Sequence, residues 1–205
     1  MIAVLDYGVG NVGSIMNMLK KIGAKGQIAN QPDVLDIADK IILPGVGSFD
    51  NGMELLEKNN FEEAIKRNVL EKGKSILGIC LGMQLLGRKS EEGSKQGLGL
   101  IPFDNIKFNF SDKIGLKLPH MGWDYVNICN IHSKLVKDIM DRQRYYFVHN
   151  YHAVCDNRED VLMESSYGYS FTAAVQHDNI YGTQFHPEKS HSFGMNLLSN
   201  FAKEC

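Results

Sequence analysis

The segment Lys74-Ser75-Ile76-Leu77-Gly78-Ile79-Cys80-Leu81-Gly82-Met83-Gln84-Leu85-Leu86 leaves this chain few folds to choose from. An apolar run ends in Gly-x-Cys-x-Gly and passes at once into a helical pattern, which predicts a buried strand, a sharp turn and a helix. Glycines on both sides of Cys80 supply the tight backbone that such an elbow demands. The thiol would then stand at the top of a sheet, where the first amides and the positive end of the following helix favour the nucleophilic thiolate. Taken by itself the segment fits a buried cysteine between packing glycines equally well, because cysteine is among the most buried residue types.

The first half of the chain repeats this unit. Met1 to Asp6 predicts a short buried strand, and Val12, Ile15, Met16, Leu19 and Ile22 follow at helical spacing. A strand near Gln27-Ile28-Ala29, a helix start at Pro32-Asp33 and a strand Lys40-Ile41-Ile42-Leu43-Pro44 come next. Asp50 or Asn51 is expected to cap a helix carrying Met53, Leu55 and Leu56, and a second helix runs through Phe61, Ala64, Ile65, Val69 and Leu70. Alternating strands and helices imply an α/β fold, with a parallel sheet covered on both faces. After Gly93, Gly97 and Gly99 the character changes to short β-like runs near residues 106–108, 123–126, 145–148, 161–163, 172–175 and 180–183, expected to extend the sheet, partly antiparallel. A helix with Met195, Leu198, Phe201 and Ala202 closes the chain.

A chain of 205 residues is long enough for one sizeable core and short for two, so residues 1–205 are expected to form a single domain. A net charge of -2 leaves no positive excess for phosphate backbones and argues against nucleic acid as a partner. Asp6 interrupts the first apolar run too early for a signal peptide or membrane span, which points to the cytoplasm. The four cysteines, Cys80, Cys129, Cys155 and Cys205, show no C-x-x-C pairing, so neither a zinc knuckle nor a disulfide scaffold is expected. His149 and His152 would lie on opposite faces of a strand and make a poor metal pair; no metal site is expected. Gly8-Val9-Gly10-Asn11-Val12-Gly13 matches the G-x-G-x-x-G dinucleotide pattern, but Asn30 or Gln31 stands where an acidic residue should hold the ribose. It reads as the first tight turn of the sheet.

Near the end stands Thr183-Gln184-Phe185-His186-Pro187-Glu188-Lys189. Pro187 holds its predecessor extended, so His186 and Glu188 fall on one rigid turn. That spacing suits a base and its orienter: a carboxylate on the far ring nitrogen fixes the tautomer while the near nitrogen faces a thiol. Amides to face a developing oxyanion are available from Leu81, just after the cysteine, and from the loop Gly45-Val46-Gly47.

Gly78-Ile79-Cys80-Leu81-Gly82-Met83-Gln84 together with His186-Pro187-Glu188 resembles the class I (triad) glutamine amidotransferases. Residues 2–11, Pro44-Gly45-Val46-Gly47-Ser48-Phe49, Pro119-His120-Met121-Gly122-Trp123 and Tyr146-Phe147-Val148-His149 narrow the resemblance to the glutaminase subunits of imidazole glycerol phosphate synthases in histidine biosynthesis. The resemblance implies a flavodoxin-like three-layer α/β domain with a mixed, mostly parallel central sheet, and no cofactor. It implies that Cys80 attacks the side-chain amide of L-glutamine, with His186 as base and acid and Glu188 orienting it. Gln84 and Glu92 match positions that hold glutamine, and Tyr146, His149 and Lys189 match positions at the substrate pocket and partner interface. The implied partner is a (β/α)8-barrel cyclase subunit, forming a heterodimer and receiving ammonia. Asp104, Asp124 and Asn150 depart from the family's usual residues without touching the triad. They leave open a paralogue feeding ammonia to an amidino-sugar synthase for surface polysaccharide.

Overall fold

The computed structural model describes residues 1–110 and 115–205. Its first part alternates strands with helices, two helices joining β3 to β4: β1 (Ile2–Leu5), α1 (Val12–Lys21), β2 (Gly26–Ala29), α2 (Asp33–Ile37), β3 (Lys40–Gly45), α3 (Phe49–Lys58), α4 (Phe61–Lys66), β4 (Ser75–Cys80) and α5 (Leu81–Leu86). The remainder comprises β5 (Lys89–Ser90), β6 (Phe103–Lys107), β7 (His120–Tyr125), β8 (Asn127–Ile128), β9 (Arg144–His149), β10 (Tyr151–Cys155), β11 (Val161–Tyr167), β12 (Tyr169–His177), β13 (Ile180–Thr183) and α6 (His191–Lys203). No helix among the described residues is long and apolar enough to cross a membrane.

The main sheet has the order β2-β1-β3-β4-β13-β12-β10-β6-β5, with β11 and β8 branching from β12. Strands β2, β1, β3, β4 and β13 are parallel, and β12, β10 and β6 continue antiparallel. The central strands are apolar throughout because both faces are covered. Ala3, Leu5, Ile41, Leu43 and Ile76 point toward α2, α3, α4 and α5. Their neighbours Ile2, Val4, Ile42, Leu77 and Ile79 point the other way, toward α1 and α6. Each buried Leu or Ile contributes roughly 1.5–3 kcal/mol over the exposed side chain, so this period-two pattern fixes the three layers.

Several local expectations are revised. The β7 and β9 runs do not extend the sheet: they pair with each other as a separate two-stranded ribbon. Its alternate residues Tyr145 and Phe147 pack into the core on the α1 and α6 side, so the ribbon lies over the sheet rather than at its edge. Helix α3 begins after Ser48, and Asp50 lies inside its first turn, where the carboxylate accepts from the Ser94 and Lys95 amides at 3.0 to 3.1 Å instead of capping. The helix through Val69 ends in a π-helical turn, Arg67–Glu71, whose wider winding buries Asn68 and leaves Leu70 exposed. The glycine-rich turn after β1 is a packing device: a Cβ on Gly10 would stand 3.1 Å from Pro44.

Helix α5 sits hard against β3, and a Cβ placed on Gly82 would fall 1.8 Å from the Leu43 carbonyl oxygen. Backbone on backbone cannot yield there. Gly82→Ala should therefore destabilise the fold by about 3 kcal/mol or more, measured as a shift of the denaturant midpoint.

Candidate active site

The carboxyl end of β4 lies between those of β3 and β13, the position at which open α/β sheets hold their ligands. Cys80 is its last residue and carries φ 55° and ψ −110°, a conformation that side-chain-bearing residues rarely adopt. The strain is held in place by its neighbours. A Cβ on Gly78 would meet the Gly82 carbonyl at 2.6 Å, so the strand and the first turn of α5 approach as closely as their backbones permit. The resulting elbow pushes the Cys80 side chain out over the sheet. The cysteine is 8% exposed, its thiol pointing to the Val148 carbonyl at 3.9 Å, with the Gln184 side-chain amide donating to the sulfur at 3.8 Å.

His186 arrives beyond β13 on an extended backbone, φ −100° and ψ 95°, as the following proline requires. Its amide donates to the Tyr146 carbonyl at 2.9 Å, which ties the ring to the β7–β9 ribbon. Pro187–Lys189 then form a short 3-10 turn that brings Glu188 back: His186 Nδ1 lies 2.8 Å from Glu188 Oε1, with both side chains 1% exposed. The other ring nitrogen, Nε2, is buried without a hydrogen-bond partner. One nitrogen held by a carboxylate and the other free for a reacting group is the arrangement of a base with its orienter. Burial opposes a charge on this ring, but Cys80 and Glu188 beside it more than offset that, and the pKa is pushed up to about 9.

The cavity in front of Cys80 has a volume of about 250 Å³, suited to a small solute rather than a peptide. Val46, Gly47, Cys80, Leu81, Gln84, Glu92, His149, His186 and Lys189 line it, together with Pro119, Val148, Asn150 and Tyr151. Leu81 is the first residue of α5 and follows the elbow directly. Gly45 is not part of this lining; it closes β3 opposite Cys80, where a Cβ would meet the Tyr7 hydroxyl at 2.8 Å. Beyond it Val46 and Gly47 project into solvent at the cavity mouth, Gly47 at φ 107° with open space where a Cβ would stand.

Glu92 accepts from the Phe49 amide at 2.8 Å through one oxygen, which fixes the carboxylate at the start of α3. Gln84 is buried and donates to Gln184 Oε1 at 3.0 Å and to the Tyr151 carbonyl at 3.3 Å. Tyr146 stands outside the cavity on the ribbon's outward face, with Lys189 Nζ 5.8 Å from its ring centre and Trp123 edge-on at 6.1 Å. Sequence reasoning passed over Gln184, whose side chain a bend after β13 brings to Cys80, a placement that spacing alone does not reveal. It also passed over Tyr151, whose backbone carbonyl takes part and leaves no mark in a side-chain pattern.

A fold of this topology with a cysteine elbow facing a His–Glu pair defines a class, and comparison bears it out: the glutamine amidotransferase class-I profile matches residues 3–205. The chain belongs to that family. Within it, the chain is 50% identical over 205 residues, covering all of both proteins, to imidazole glycerol phosphate synthase subunit HisH 2 of Methanococcus maripaludis. It is 46% identical over 203 residues, 99% of each chain, to the protein of the same name in Pseudomonas aeruginosa. The fold also matches that of PurLQS from Thermotoga maritima, with a TM-score of 0.76 at 20% identity over 98% of this chain and 96% of that one.

The raised pKa of His186 has a consequence for stability. A ring whose folded value lies above its unfolded one stabilises the fold in full below about pH 6.5 and loses that contribution as the pH rises through about 9. Glu188→Gln removes one of the two groups that raise it. Denaturation midpoints of the native protein should fall more steeply across this window than those of Glu188→Gln; parallel curves would contradict the assignment.

Proposed function

We propose that this chain is the glutaminase subunit of an imidazole glycerol phosphate synthase, releasing ammonia from L-glutamine for histidine biosynthesis. The observation that carries the reading is the elbow cysteine facing the unpartnered Nε2 of a histidine whose Nδ1 is held by Glu188. Full-length similarity to proteins named as subunits of that synthase supports the pathway. In the first half-reaction the Cys80 sulfur attacks the side-chain carbonyl carbon of glutamine, its proton already held on His186 Nε2. The proton passes to the departing nitrogen, ammonia leaves, and a glutamyl thioester remains. Water, deprotonated by the same nitrogen, then cleaves the thioester and returns glutamate and the thiol. Glu188 keeps the ring in its tautomer and stabilises the imidazolium.

The carbonyl oxygen becomes an anion in both steps and needs amide donors. Leu81 N–H, just past the nucleophile, is one, and the Val46-Gly47 segment supplies the second after a peptide rotation that Gly47 permits. The free oxygen of Glu92 receives the substrate ammonium, and Gln84 and His149 bound the pocket. Tyr146 and Lys189 serve the interface with the partner subunit.

Ammonia in neutral water is mostly protonated and unreactive, so a synthase subunit must dock over the cavity and conduct it. The outward face of the ribbon suits such docking. Met121 is 60% exposed there, Trp123 stacks on His191 at 5.4 Å, and Tyr146 and Lys189 continue the surface to the cavity wall. The partner is a (β/α)8-barrel cyclase in a heterodimer, and its nucleotide substrate places the work in the cytoplasm. Docking turns the Val46-Gly47 amide toward the substrate.

Glutamate release should be strongly stimulated by the cyclase with its ribulosyl nucleotide; stimulation only by a cyclase homologue from a sugar pathway would move the pathway and keep the chemistry. Cys80→Ala should abolish glutamine-dependent turnover, by about 10⁴-fold or more, and leave synthesis from added ammonia intact. Loss of both would show that Cys80 is structural. Gly47→Pro should retain slow basal hydrolysis and lose the stimulation, measured as the ratio of rates with and without cyclase ligand.

A further inference from the structure

Behind the cavity wall lies a hydrogen-bonded chain that the reaction does not use. In the ribbon His120 stands opposite His149, and Asp124 follows His120 on the same face of β7. His120 Nδ1 is 2.9 Å from His149 Nε2, His120 Nε2 is 2.6 Å from Asp124 Oδ2, and His149 Nδ1 is 2.7 Å from the Tyr151 carbonyl oxygen. The ring of His120 is clamped on both faces, by Tyr167 at 4.1 Å and Phe147 at 5.0 Å, so its nitrogens cannot exchange places.

The hydrogens can be counted. Three links need three hydrogens, and both ends of the chain, a carboxylate and a carbonyl, are acceptors. Two neutral imidazoles supply two. The Tyr151 carbonyl takes the hydrogen of His149 Nδ1, and the Asp124 carboxylate, a stronger acceptor than a ring nitrogen, takes that of His120 at Nε2, which leaves His120 Nδ1 lone pair to lone pair with His149 Nε2. The chain closes only if a third hydrogen enters at His120, which then donates to Asp124 and to His149 at once. Asp124 is the one member open to solvent, its side chain 39% exposed against 1% for His120.

The far end reaches the nucleophile. The Tyr151 carbonyl that receives His149 also receives Gln84 Nε2, Gln84 donates to Gln184, and Gln184 donates to the Cys80 sulfur. We propose that Asp124 and His120 are positioning residues for the glutaminase reaction, a proton-binding pair at the protein surface that, when closed, holds His149, Tyr151 and Gln84 in the geometry that binds glutamine. This rests on the glutaminase reading above.

The pair is the only place in the chain where that proton can come and go. Burial holds His149 near 3 and thus neutral. Among the described residues the other groups around the two rings are satisfied elsewhere: His152 by the Tyr169 hydroxyl, Tyr167 by the Lys117 carbonyl, and His186 across the cavity by Glu188. Phe108 and Phe171 complete the surroundings. Burial of His120 outweighs the help of Asp124 and sets its pKa below the ordinary 6.5, so the third hydrogen is lost as the pH rises through that lower value and the link opens.

Asp124→Asn donates an amide N–H to His120 Nε2 and so turns the ring's own hydrogen to His149 at every pH, and Asp124→Leu, which offers no competing acceptor, leaves that hydrogen to His149 as well. For the complex with its cyclase, KM for glutamine in the native protein should rise with pH by about three- to tenfold, the worth of one hydrogen bond, with little change in kcat. Asp124→Asn and Asp124→Leu should both show the low value throughout. Superimposable KM profiles for all three would overturn the proposal. Ring-nitrogen NMR of His149 supplies an arm independent of activity: its Nε2 should shift through the titration of His120 in the native protein and stay flat in Asp124→Asn. A His149 signal indifferent to Asp124→Asn overturns the proposal even if no variant releases glutamate, an outcome that would separately refute the glutaminase reading.

Discussion

The contact on which the rest depends is that between the first turn of α5 and the end of β3, where Gly82 lies against the Leu43 carbonyl with no room for a single carbon. It forces the chain to turn sharply at the last residue of β4, Cys80, held at φ 55°. A cysteine on an ordinary β-to-α connection would lie flat along the sheet. Lifted by the elbow, it faces the segment that leaves β13, the parallel neighbour of β4 on the other side. The pair proposed as catalytic therefore meets through sheet order: β4 supplies Cys80, β13 delivers His186, and β3 delivers the loop at the mouth.

The cavity is built from two kinds of structure. Its floor is the rigid parallel sheet, whose inward residues are buried on both faces. Its walls are the Val46-Gly47 loop, the Glu92 turn and the β7–β9 ribbon, the last tied to the segment after β13 by the His186 N–H to Tyr146 hydrogen bond. Chemistry that needs fixed geometry sits on the floor. The adjustable part is the exposed Val46-Gly47 loop, where peptide rotation leaves the core packing intact, whereas the ribbon is anchored in the core by Tyr145 and Phe147.

Much of the parallel half could be read from the chain, because strands covered on both faces must be continuously apolar and the helices between them must be striped. The antiparallel half was legible as strands and less so as pairings. An alternating run such as His120 to Tyr125 says that its two faces differ; it does not say which strand it joins, and here β7 and β9 pair apart from the main sheet. The strand Tyr151–Cys155 escaped notice because His152 breaks its apolar pattern, a break that burial tolerates since Tyr169 satisfies the ring. The motif around Cys80 and the His-Pro-Glu turn pointed to the chemistry directly. The contribution of Gln184, the Tyr151 carbonyl and the His120–His149 contact arises from residues distant in sequence and could not be inferred from spacing.

The ribbon has period two, and its two faces carry different information. Met121, Trp123 and Tyr146 look outward, while His120, Asp124, Phe147 and His149 look toward the core and cavity. Substitutions on the outer face can alter that surface without rewriting the inner face. Insertions and deletions have no such freedom. One residue gained or lost in either strand would turn Trp123 or Tyr146 inward and His120 or His149 outward, so the packing of this segment constrains its length more than the identity of its outer residues.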